Sequence, residues 1–139
     1  MTEKGKQISL VSIIVPVLNE EKHLEELFSR TKAILDSLGQ PFEFIVVDDG
    51  STDNTANLIQ LMSKRFHNIG LVRHRRNHGK SIALMQGFAV ADGDVAIMMD
   101  GDLQDEPENI PKMLEKITWN EVKTFFQQET LRLAKKYIG

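Results

Sequence analysis

Four short apolar runs alternate with amphipathic segments along the first 117 residues of the chain. The runs cover residues 8–17, 42–47, 68–74 and 94–100, and they are rich in β-branched residues. Runs of this kind are typical of strands that are buried on both faces of a parallel sheet. The first three are each followed by a segment with apolar residues at helical spacing, so the pattern predicts alternating strands and helices.

Capping residues predict where the helices begin. The first helix is expected to open at residues 19–21, where acidic side chains favour a helix N-terminus. Ser51 or Thr52 is the expected N-cap of the second helix, and Gly79 opens the third. Gly39 ends the first helix, because glycine is a frequent residue just past a helix C-terminus.

The alternation predicts the fold class. It indicates an α/β domain of three layers, with helices on both faces of a mainly parallel sheet, over residues 1–117. Residues 118–139 form a separate tail, in which Thr118 and Glu121 have the spacing of a capping box and predict a further helix. Its loose apolar stripe leaves two interpretations open: a helix that docks on the sheet, or one that lies at a membrane surface.

The composition narrows the function classes. Of the 139 residues, 41% are hydrophobic and 27% are charged, as in one folded domain. A net charge of −3 argues against a protein that coats nucleic acid or an acidic membrane. The absence of cysteine excludes disulfides and thiolate metal sites. Because no segment approaches the ~20 apolar residues of a membrane span and no signal peptide is visible, we expect a cytoplasmic protein.

Three polar clusters follow three of the predicted strands. They are PVLNE at 16–20, VDDGS at 47–51 and DGDLQ at 100–104. The carboxyl ends of parallel strands meet at one edge of a sheet, where ligands of such folds bind. Helix capping alone accounts for one or two acids at each helix, but the third cluster precedes any helix signal by several residues.

The third cluster has the chemistry of a divalent cation site. Asp100 and Asp102 form an Asp-x-Asp pair, and Gln104 adds a neutral oxygen. Mg²⁺ prefers oxygen ligands and usually binds one or two carboxylates together with substrate phosphates. Gly101 between the acids permits close approach of a ligand to the backbone.

Basic residues lie between the second and third clusters. Lys80 stands at a predicted helix N-terminus, where backbone N–H groups favour anions such as a diphosphate. The other arginines and lysines are equally well explained as a solvated face. His74 and His78 are four residues apart but lie in a loop with Gly79, which argues against a histidine metal site.

Four motifs together resemble glycosyltransferase family 2, whose members have the GT-A nucleotide-sugar fold. They are SIIVPVLNEE, FIVVDDGSTDNT, RNHGKSIALMQGF and MMDGDLQDEPENIP, and the resemblance covers residues 8–117. The segment DLQDEPE is similar to the DLQDPPE of the polyprenyl-phosphate glycosyltransferases, such as the dolichol- and undecaprenyl-phosphate enzymes.

The resemblance implies a role for each matching residue. Pro16, Leu18 and Glu20 would line the nucleotide pocket. Val47 and Asp49 would contact the base, with the Asp49 carboxylate accepting from a ring N–H. Asp100, Gly101 and Asp102 would hold the ribose and the diphosphate, and Lys80 would support the phosphates. Asp102 and Gln104 would bind a Mg²⁺ or Mn²⁺ ion, so Asp102 is the predicted catalytic residue.

The function implied by the resemblance is sugar transfer. A metal-dependent, inverting glycosyltransferase would move a sugar from a UDP- or GDP-sugar to an acceptor, with a polyprenyl phosphate as the expected acceptor. Such an enzyme would work at the cytoplasmic face of a membrane as a peripheral protein, and it would not bind nucleic acid.

One departure from the family motivates a second interpretation. The strand, basic motif and acceptor-binding half that follow in family members are not recognisable after Ile117. The alternative is therefore a nucleotide-sugar-binding module without efficient transfer, whose acceptor half comes from a partner chain or an oligomer. A phosphoacceptor domain is disfavoured because its acidic pair follows the first strand, and a dinucleotide-binding domain because no G-x-G-x-x-G is present.

Overall fold

The computed structural model describes residues 8–104 and 106–116. Four strands and four α-helices alternate along this part of the chain, with a short 3₁₀ helix before the last α-helix. The elements in chain order are β1 (Val11–Val17), α1 (Leu24–Ser37), β2 (Phe42–Asp48), α2 (Thr55–Arg65), β3 (Ile69–Arg73), α3 (Lys80–Val90), β4 (Val95–Met98), the 3₁₀ helix (Pro107–Asn109) and α4 (Ile110–Lys116). The helix expected from Thr118 onward lies outside the described residues.

The four strands form one parallel sheet in the order β3-β2-β1-β4. The register places Val17 beside Asp48, and Asp48 beside Arg73. On the other side of β1, Ile14 pairs with Met98. The carboxyl ends of all four strands therefore meet at one edge, and the predicted mainly parallel α/β fold is confirmed.

Helices cover both faces of the sheet because alternate strand residues point to opposite sides. On one face, Val15 and Phe44 belong to a core that includes Leu27 and Phe28 of α1. On the other face, Ile45 and Val47 pack against Ala83 of α3.

Helix α3 packs very closely on the sheet. A Cβ at Gly87 would lie 2.5 Å from a methyl carbon of Ile14, so only glycine fits there without a shift. This close approach brings the N-terminus of α3, at Lys80, close to the carboxyl edge of β1.

Two helices begin later than their capping signals predict. Helix α1 starts at Leu24 rather than at residues 19–21, and Asn19 instead has a left-handed backbone with φ of 57°. Helix α2 starts at Thr55 with Asn54 as N-cap, so neither Ser51 nor Thr52 is the cap. The expected positions were wrong because the polar side chains bond to the backbone of the other loop: Asn19 Oδ1 accepts from the backbone N–H of Thr52 at 2.8 Å. The polar residues after β1 and β2 are therefore free to form loops at the sheet edge.

Within residues 8–104 and 106–116, none of the helices has the length and apolar character that crossing a bilayer requires.

Candidate functional site

A cavity of about 380 Å³ opens at the carboxyl edge of the sheet. We call it the edge cavity. Its walls come from the loops after β1, β2 and β4 and from the start of α3. The lining residues are Pro16, Val17, Leu18, Glu20, Asp49, Asn77, Gly79, Lys80, Ala83, Asp100, Gly101, Asp102 and Gln104.

Every residue that the sequence assigned to the site lines the edge cavity, with the exception of Val47. Val47 is fully buried and packs with Ile45 and Ala83 beneath the cavity floor. A side-chain contact between Val47 and a base therefore does not follow from this geometry. The loops do converge as expected, because the parallel register places their starting points side by side.

The loop after β1 is held by bonds to the loop before α2. The N–H of Asn19 donates to Ser51 Oγ at 2.9 Å, and the N–H of Glu20 donates to Thr55 Oγ1 at 3.0 Å. These bonds place Leu18 and Glu20 on the wall of the edge cavity. Leu18 is 42% exposed, so its apolar side chain is accessible from the edge cavity.

The adjacent acids after β2 have different environments. Asp48 is fully buried; its Oδ1 accepts from the N–H of Ser51 at 2.9 Å. Its Oδ2 has no hydrogen-bond partner among the described residues, and Arg73 Nε lies 3.9 Å away. Asp49 points the other way and lines the edge cavity. Asp48 is thus a structural acid that ties the turn after β2 to the sheet.

The Asp49 carboxylate accepts three hydrogen bonds from the loop between β3 and α3. Its Oδ1 accepts from the N–H of His78 at 2.8 Å and lies 3.1 Å from His74 Nδ1. Its Oδ2 accepts from the N–H of Gly79 at 2.9 Å. A carboxylate has about four acceptor positions, so one position on Oδ2 is left for a ligand in the edge cavity.

Lys80 and Asp100 form an ion pair across the edge cavity. Lys80 is 61% exposed at its side chain, so the ammonium group is accessible to a ligand as well as to Asp100. The loop after β4 contains Asp100 and Asp102 within the third polar cluster, residues 100–104, and we call this cluster the acidic loop. The ammonium group of Lys80 offsets its charge. Its proposed partner, a diphosphate, would carry the same sign of charge as Asp100.

Gly101 lies directly against the end of β1, where a larger residue would force neighbouring side chains to shift. A Cβ at this position would lie 2.7 Å from Val17 Cγ1 and 3.3 Å from Glu20 Cγ. The sequence suggested that this glycine admits a ligand to the backbone. The structure gives a further reason, since the acidic loop lies directly against the end of β1.

Asp102 and Gln104 are the two residues of the third cluster whose side-chain oxygen atoms could hold a cation, and both line the edge cavity. The N–H of Gln104 donates to Asp102 Oδ1 at 3.1 Å, and Leu103 between them has a left-handed backbone with φ of 67°. The described residues contain no group of three or more acidic, histidine or cysteine side chains that would form a metal site by itself. The donor set therefore fits Mg²⁺ or Mn²⁺ only where a ligand and water complete the coordination, as Mg²⁺ usually prefers.

The 3₁₀ helix, which follows the acidic loop in the chain, is bonded to α1. Arg30 Nε donates to Glu108 Oε2 at 3.0 Å, a second guanidinium nitrogen bonds the other carboxylate oxygen, and Glu26 accepts from the third at 3.3 Å. The hydrogen bond from Arg30 lowers the pKa of Glu108, and the same bond raises the pKa of Arg30. Ile110 is buried in the core just beyond this pair.

Asn77 is a cavity residue that the sequence reasoning missed. Its Oδ1 accepts from the N–H of Gly79 at 2.8 Å, which shapes the turn into α3. The signal was present, because asparagine two residues before glycine is typical of a side-chain-stabilised turn. Val17 and Ala83 also line the cavity, but nothing in the sequence separates them from ordinary core residues.

The fold and the edge cavity together define a class. A parallel α/β domain that gathers acids, a lysine and a glycine-containing acidic triplet at the carboxyl edge has the architecture of a GT-A nucleotide-binding half. The solved structures that resemble it are glycosyltransferases of this fold. A mannosyltransferase from Pyrobaculum calidifontis, in complex with GDP-Man and Mn²⁺, superposes with a TM-score of 0.60 and 26% identity over 70% of this chain and 28% of that chain.

A second solved structure gives the same result. Glucosyl-3-phosphoglycerate synthase from Mycobacterium tuberculosis, in complex with Mn²⁺, UDP and phosphoglyceric acid, superposes with a TM-score of 0.62 and 26% identity. The match covers 82% of this chain and 39% of that chain.

The profile of the family described as "Glycosyl transferase family 2" matches residues 12–130, and the chain belongs to this family. The chain is similar to the undecaprenyl-phosphate 4-deoxy-4-formamido-L-arabinose transferase of Shewanella sediminis, with 44% identity over 114 residues. That match covers 81% of this chain and 34% of the relative. The corresponding transferase of Edwardsiella ictaluri is 41% identical over 111 residues. The chain thus spans about a third of the length of the curated relatives it matches.

Proposed function

We propose that this chain is the donor-binding part of a glycosyltransferase that moves a sugar from a UDP- or GDP-sugar to a polyprenyl phosphate. The observation that carries the proposal is the edge cavity, where residues from all three predicted clusters and Lys80 meet. Relatives named as undecaprenyl-phosphate transferases support the acceptor class. A lipid acceptor would place the reaction at a membrane surface, and we propose the cytoplasmic face.

The donor would lie with its base toward Asp49 and its diphosphate toward Lys80 and the acidic loop. Pro16, Leu18 and Glu20 would line the nucleotide pocket. An ammonium group near the mouth of the cavity suits an anionic diphosphate, since it can exchange Asp100 for phosphate oxygens. Asp100 and Gly101 would then lie beside the ribose.

Asp102 and Gln104 are the residues that would hold Mg²⁺ or Mn²⁺. When bound there, such an ion neutralises charge on the departing diphosphate as a Lewis acid, an effect worth several kcal/mol. Asp102 is the residue we propose to act in catalysis through this contact. The Lys80 ammonium would also neutralise negative charge on the departing diphosphate, because its side chain lines the same cavity.

The transfer would invert the anomeric carbon, because the nucleophile attacks opposite the departing diphosphate. A polyprenyl phosphate is already an anion, so it needs no general base to become a nucleophile. A sugar hydroxyl acceptor would need one. We assign no base among the described residues.

A second candidate function is nucleotide-sugar binding without efficient transfer. The observation that favours it is the lining of the edge cavity, which we assign to the donor and its metal and in which we assign no acceptor contact and no base. Under this interpretation the acceptor side is supplied by a partner chain or by further copies in an oligomer.

The proposal is tested by calorimetric titration of UDP and GDP in the presence of Mg²⁺, of Mn²⁺ or of EDTA. We expect binding that EDTA weakens and that Asp102→Asn weakens at nearly constant shape. Asp92→Asn is the matched control, because Asp92 is an exposed acid in the loop that precedes β4, at the other end of the sheet. Affinity that is unchanged by EDTA would rule out the metal role, and no binding of either nucleotide would rule out the donor site.

A further inference from the structure

We propose that His74 is a positioning residue for base recognition, which holds the Asp49 carboxylate so that its remaining acceptor position serves a base in the edge cavity. The inference rests on the proposed function, because it assigns a nucleotide to that cavity. His74 itself is not among the cavity-lining residues, so it would act only through Asp49.

The first observation is the geometry of the pair. His74 Nδ1 lies 3.1 Å from Asp49 Oδ1, and both side chains are almost buried, at 11% and 8% exposed. An ionised carboxylate only accepts hydrogen bonds, so this contact requires a proton on Nδ1. His74 is the one side chain among the described residues that donates to Asp49; the other two donors are the backbone N–H groups of His78 and Gly79.

The second observation is that His74 is itself held in place. Its backbone N–H donates to the carbonyl oxygen of Asp48 at 2.9 Å, directly after the end of β3. Its ring meets the ring of His78 edge to face, with centroids 5.1 Å apart. A ring fixed at its backbone and on one side can orient a neighbouring carboxylate.

The third observation is that the turn after Asp49 packs tightly against the loop that contains His74. Gly50 has φ of 92°, and a Cβ there would lie 2.6 Å from the carbonyl carbon of Arg76 and 2.7 Å from the backbone nitrogen of Asn77. The turn at Asp49 and the loop that begins at His74 are therefore in direct backbone contact. The His74 ring and the His78 N–H occupy the two acceptor positions on Oδ1. Only Oδ2, which accepts from the Gly79 N–H alone, therefore has a position left for a base.

Calorimetry on the full chain separates this role from a general structural one. We expect His74→Phe, which keeps a flat ring but removes the donor, to weaken UDP or GDP binding roughly 3- to 10-fold, as for loss of one hydrogen bond. Pyrophosphate binding should not change. His74→Asn, whose amide N–H₂ stands near the position of Nδ1, should recover most of the affinity. His67→Phe is the matched control, since His67 is exposed at the opposite end of β3.

The proposed action of His74 through Asp49 leads to a second expected result. If His74 acts through Asp49, then His74→Phe should weaken nucleotide binding no further in a chain that already carries Asp49→Ala. Additive losses would overturn the proposal, and so would an equal loss of pyrophosphate affinity or no loss at all in His74→Phe.

NMR spectroscopy tests the positioning without any nucleotide, so that its failure is distinct from failure of the proposed function. Long-range ¹H–¹⁵N spectra should show His74 protonated at Nδ1 at neutral pH. Amide exchange at His78 and Gly79 should be slow in the wild-type chain and faster in His74→Phe. An Nε2–H tautomer, or unchanged exchange, would contradict the proposal even where nucleotide binds as expected.

Discussion

Asp48 and Asp49 show how adjacent identical residues take different roles where a strand ends, since Asp48 is the last residue of β2 and Asp49 is the first residue of the following loop. Successive side chains of a strand point to opposite faces, so Asp48 is buried beside Arg73 and Asp49 lines the edge cavity. The acidic pair was evident in the sequence. Which of the two acids lines the edge cavity depends on the register of β2 with its neighbours, and the resemblance had assigned the base contact to Asp49.

Gly50 provides a prediction at the residue scale. Gly50→Ala should destabilise the fold, because a left-handed backbone at a non-glycine residue costs about 1–3 kcal/mol and its Cβ would meet the backbone of Arg76 at 2.6 Å. Urea unfolding measures the change. Gly70→Ala is the control, since a Cβ at Gly70 meets nothing within 4 Å and no positive φ is present. Equal effects of the two substitutions would contradict the steric explanation.

Lys80 provides a second residue-scale prediction. Lys80→Met should weaken UDP and pyrophosphate alike, by about 1.5–3 kcal/mol, the usual value for a hydrogen bond to a charged group. The loss is shared because the ammonium would contact the phosphates and not the base. Calorimetry with UDP, pyrophosphate and uridine tests this, and a loss of uridine affinity as large as that of UDP would argue for a different role. Lys32→Met, on α1, is the control, since Lys32 pairs only with Asp36 among the described residues.

At the scale of elements, the loops after the strands carry the chemistry and the helices carry the support. The acidic loop lies against β1 at Gly101 and Val17, and the 3₁₀ helix beyond it is bonded to α1 through Glu108 and Arg30. Exposed ion pairs usually contribute little to the stability of the fold, but a bidentate contact between an arginine and a carboxylate is an exception. The Arg30–Glu108 pair should therefore stabilise the docking of the 3₁₀ helix on α1, and with it the fold.

The pH dependence of this pair follows from its direction. The pKa of Glu108 is lowered in the folded chain by its hydrogen bond to Arg30, so the pair stabilises the fold above the unfolded pKa of about 4.3. That stabilisation is lost as the pH falls through the lower, folded pKa. We expect wild type to exceed Glu108→Gln in Tm at pH 7, and the gap to close on acidification.

Thermal unfolding from pH 7 to pH 3 measures this gap. Glu115→Gln is the matched control, an exposed glutamate on α4, and it should show no such closing gap. A difference between wild type and Glu108→Gln that stays constant over this range would assign the effect to packing and not to charge.

At the scale of the whole molecule, the chain belongs to glycosyltransferase family 2, and we propose that it holds the donor side of the reaction. It spans about a third of the length of its curated relatives, and the edge cavity is assembled from its own residues. Catalysis also needs the acceptor to be aligned with the donor, and alignment supplies about 7–11 kcal/mol of barrier lowering. On the proposed function, donor binding by this chain can therefore be measured separately from sugar transfer.

We predict that the chain alone binds nucleotide with a divalent cation but transfers little sugar. The purified chain is incubated with labelled UDP-glucose or GDP-mannose, undecaprenyl phosphate, detergent and Mn²⁺, and labelled lipid is measured. Turnover near the ~10 s⁻¹ of an ordinary enzyme would refute the prediction. Labelled free sugar without labelled lipid would indicate slow donor hydrolysis, which is consistent with it.

The sequence by itself determined the fold class, the sheet edge and most of the residues at the candidate site. These follow from local patterns: apolar runs predict the strands, and polar clusters at their ends predict an edge where parallel strands must meet. The position of Asp102 and Gln104 in the edge cavity followed in the same way.

Only the tertiary structure decided where the helices begin, which side chains face the cavity and what holds them. Asn19 and Ser51 form loops because each bonds a residue distant in sequence, and capping preference does not include such partners. Val47 is beneath the floor because α3 covers it. His74 meets Asp49 only because β3 pairs with β2 in one register. Contacts between residues far apart in sequence depend on packing, and no local pattern specifies them.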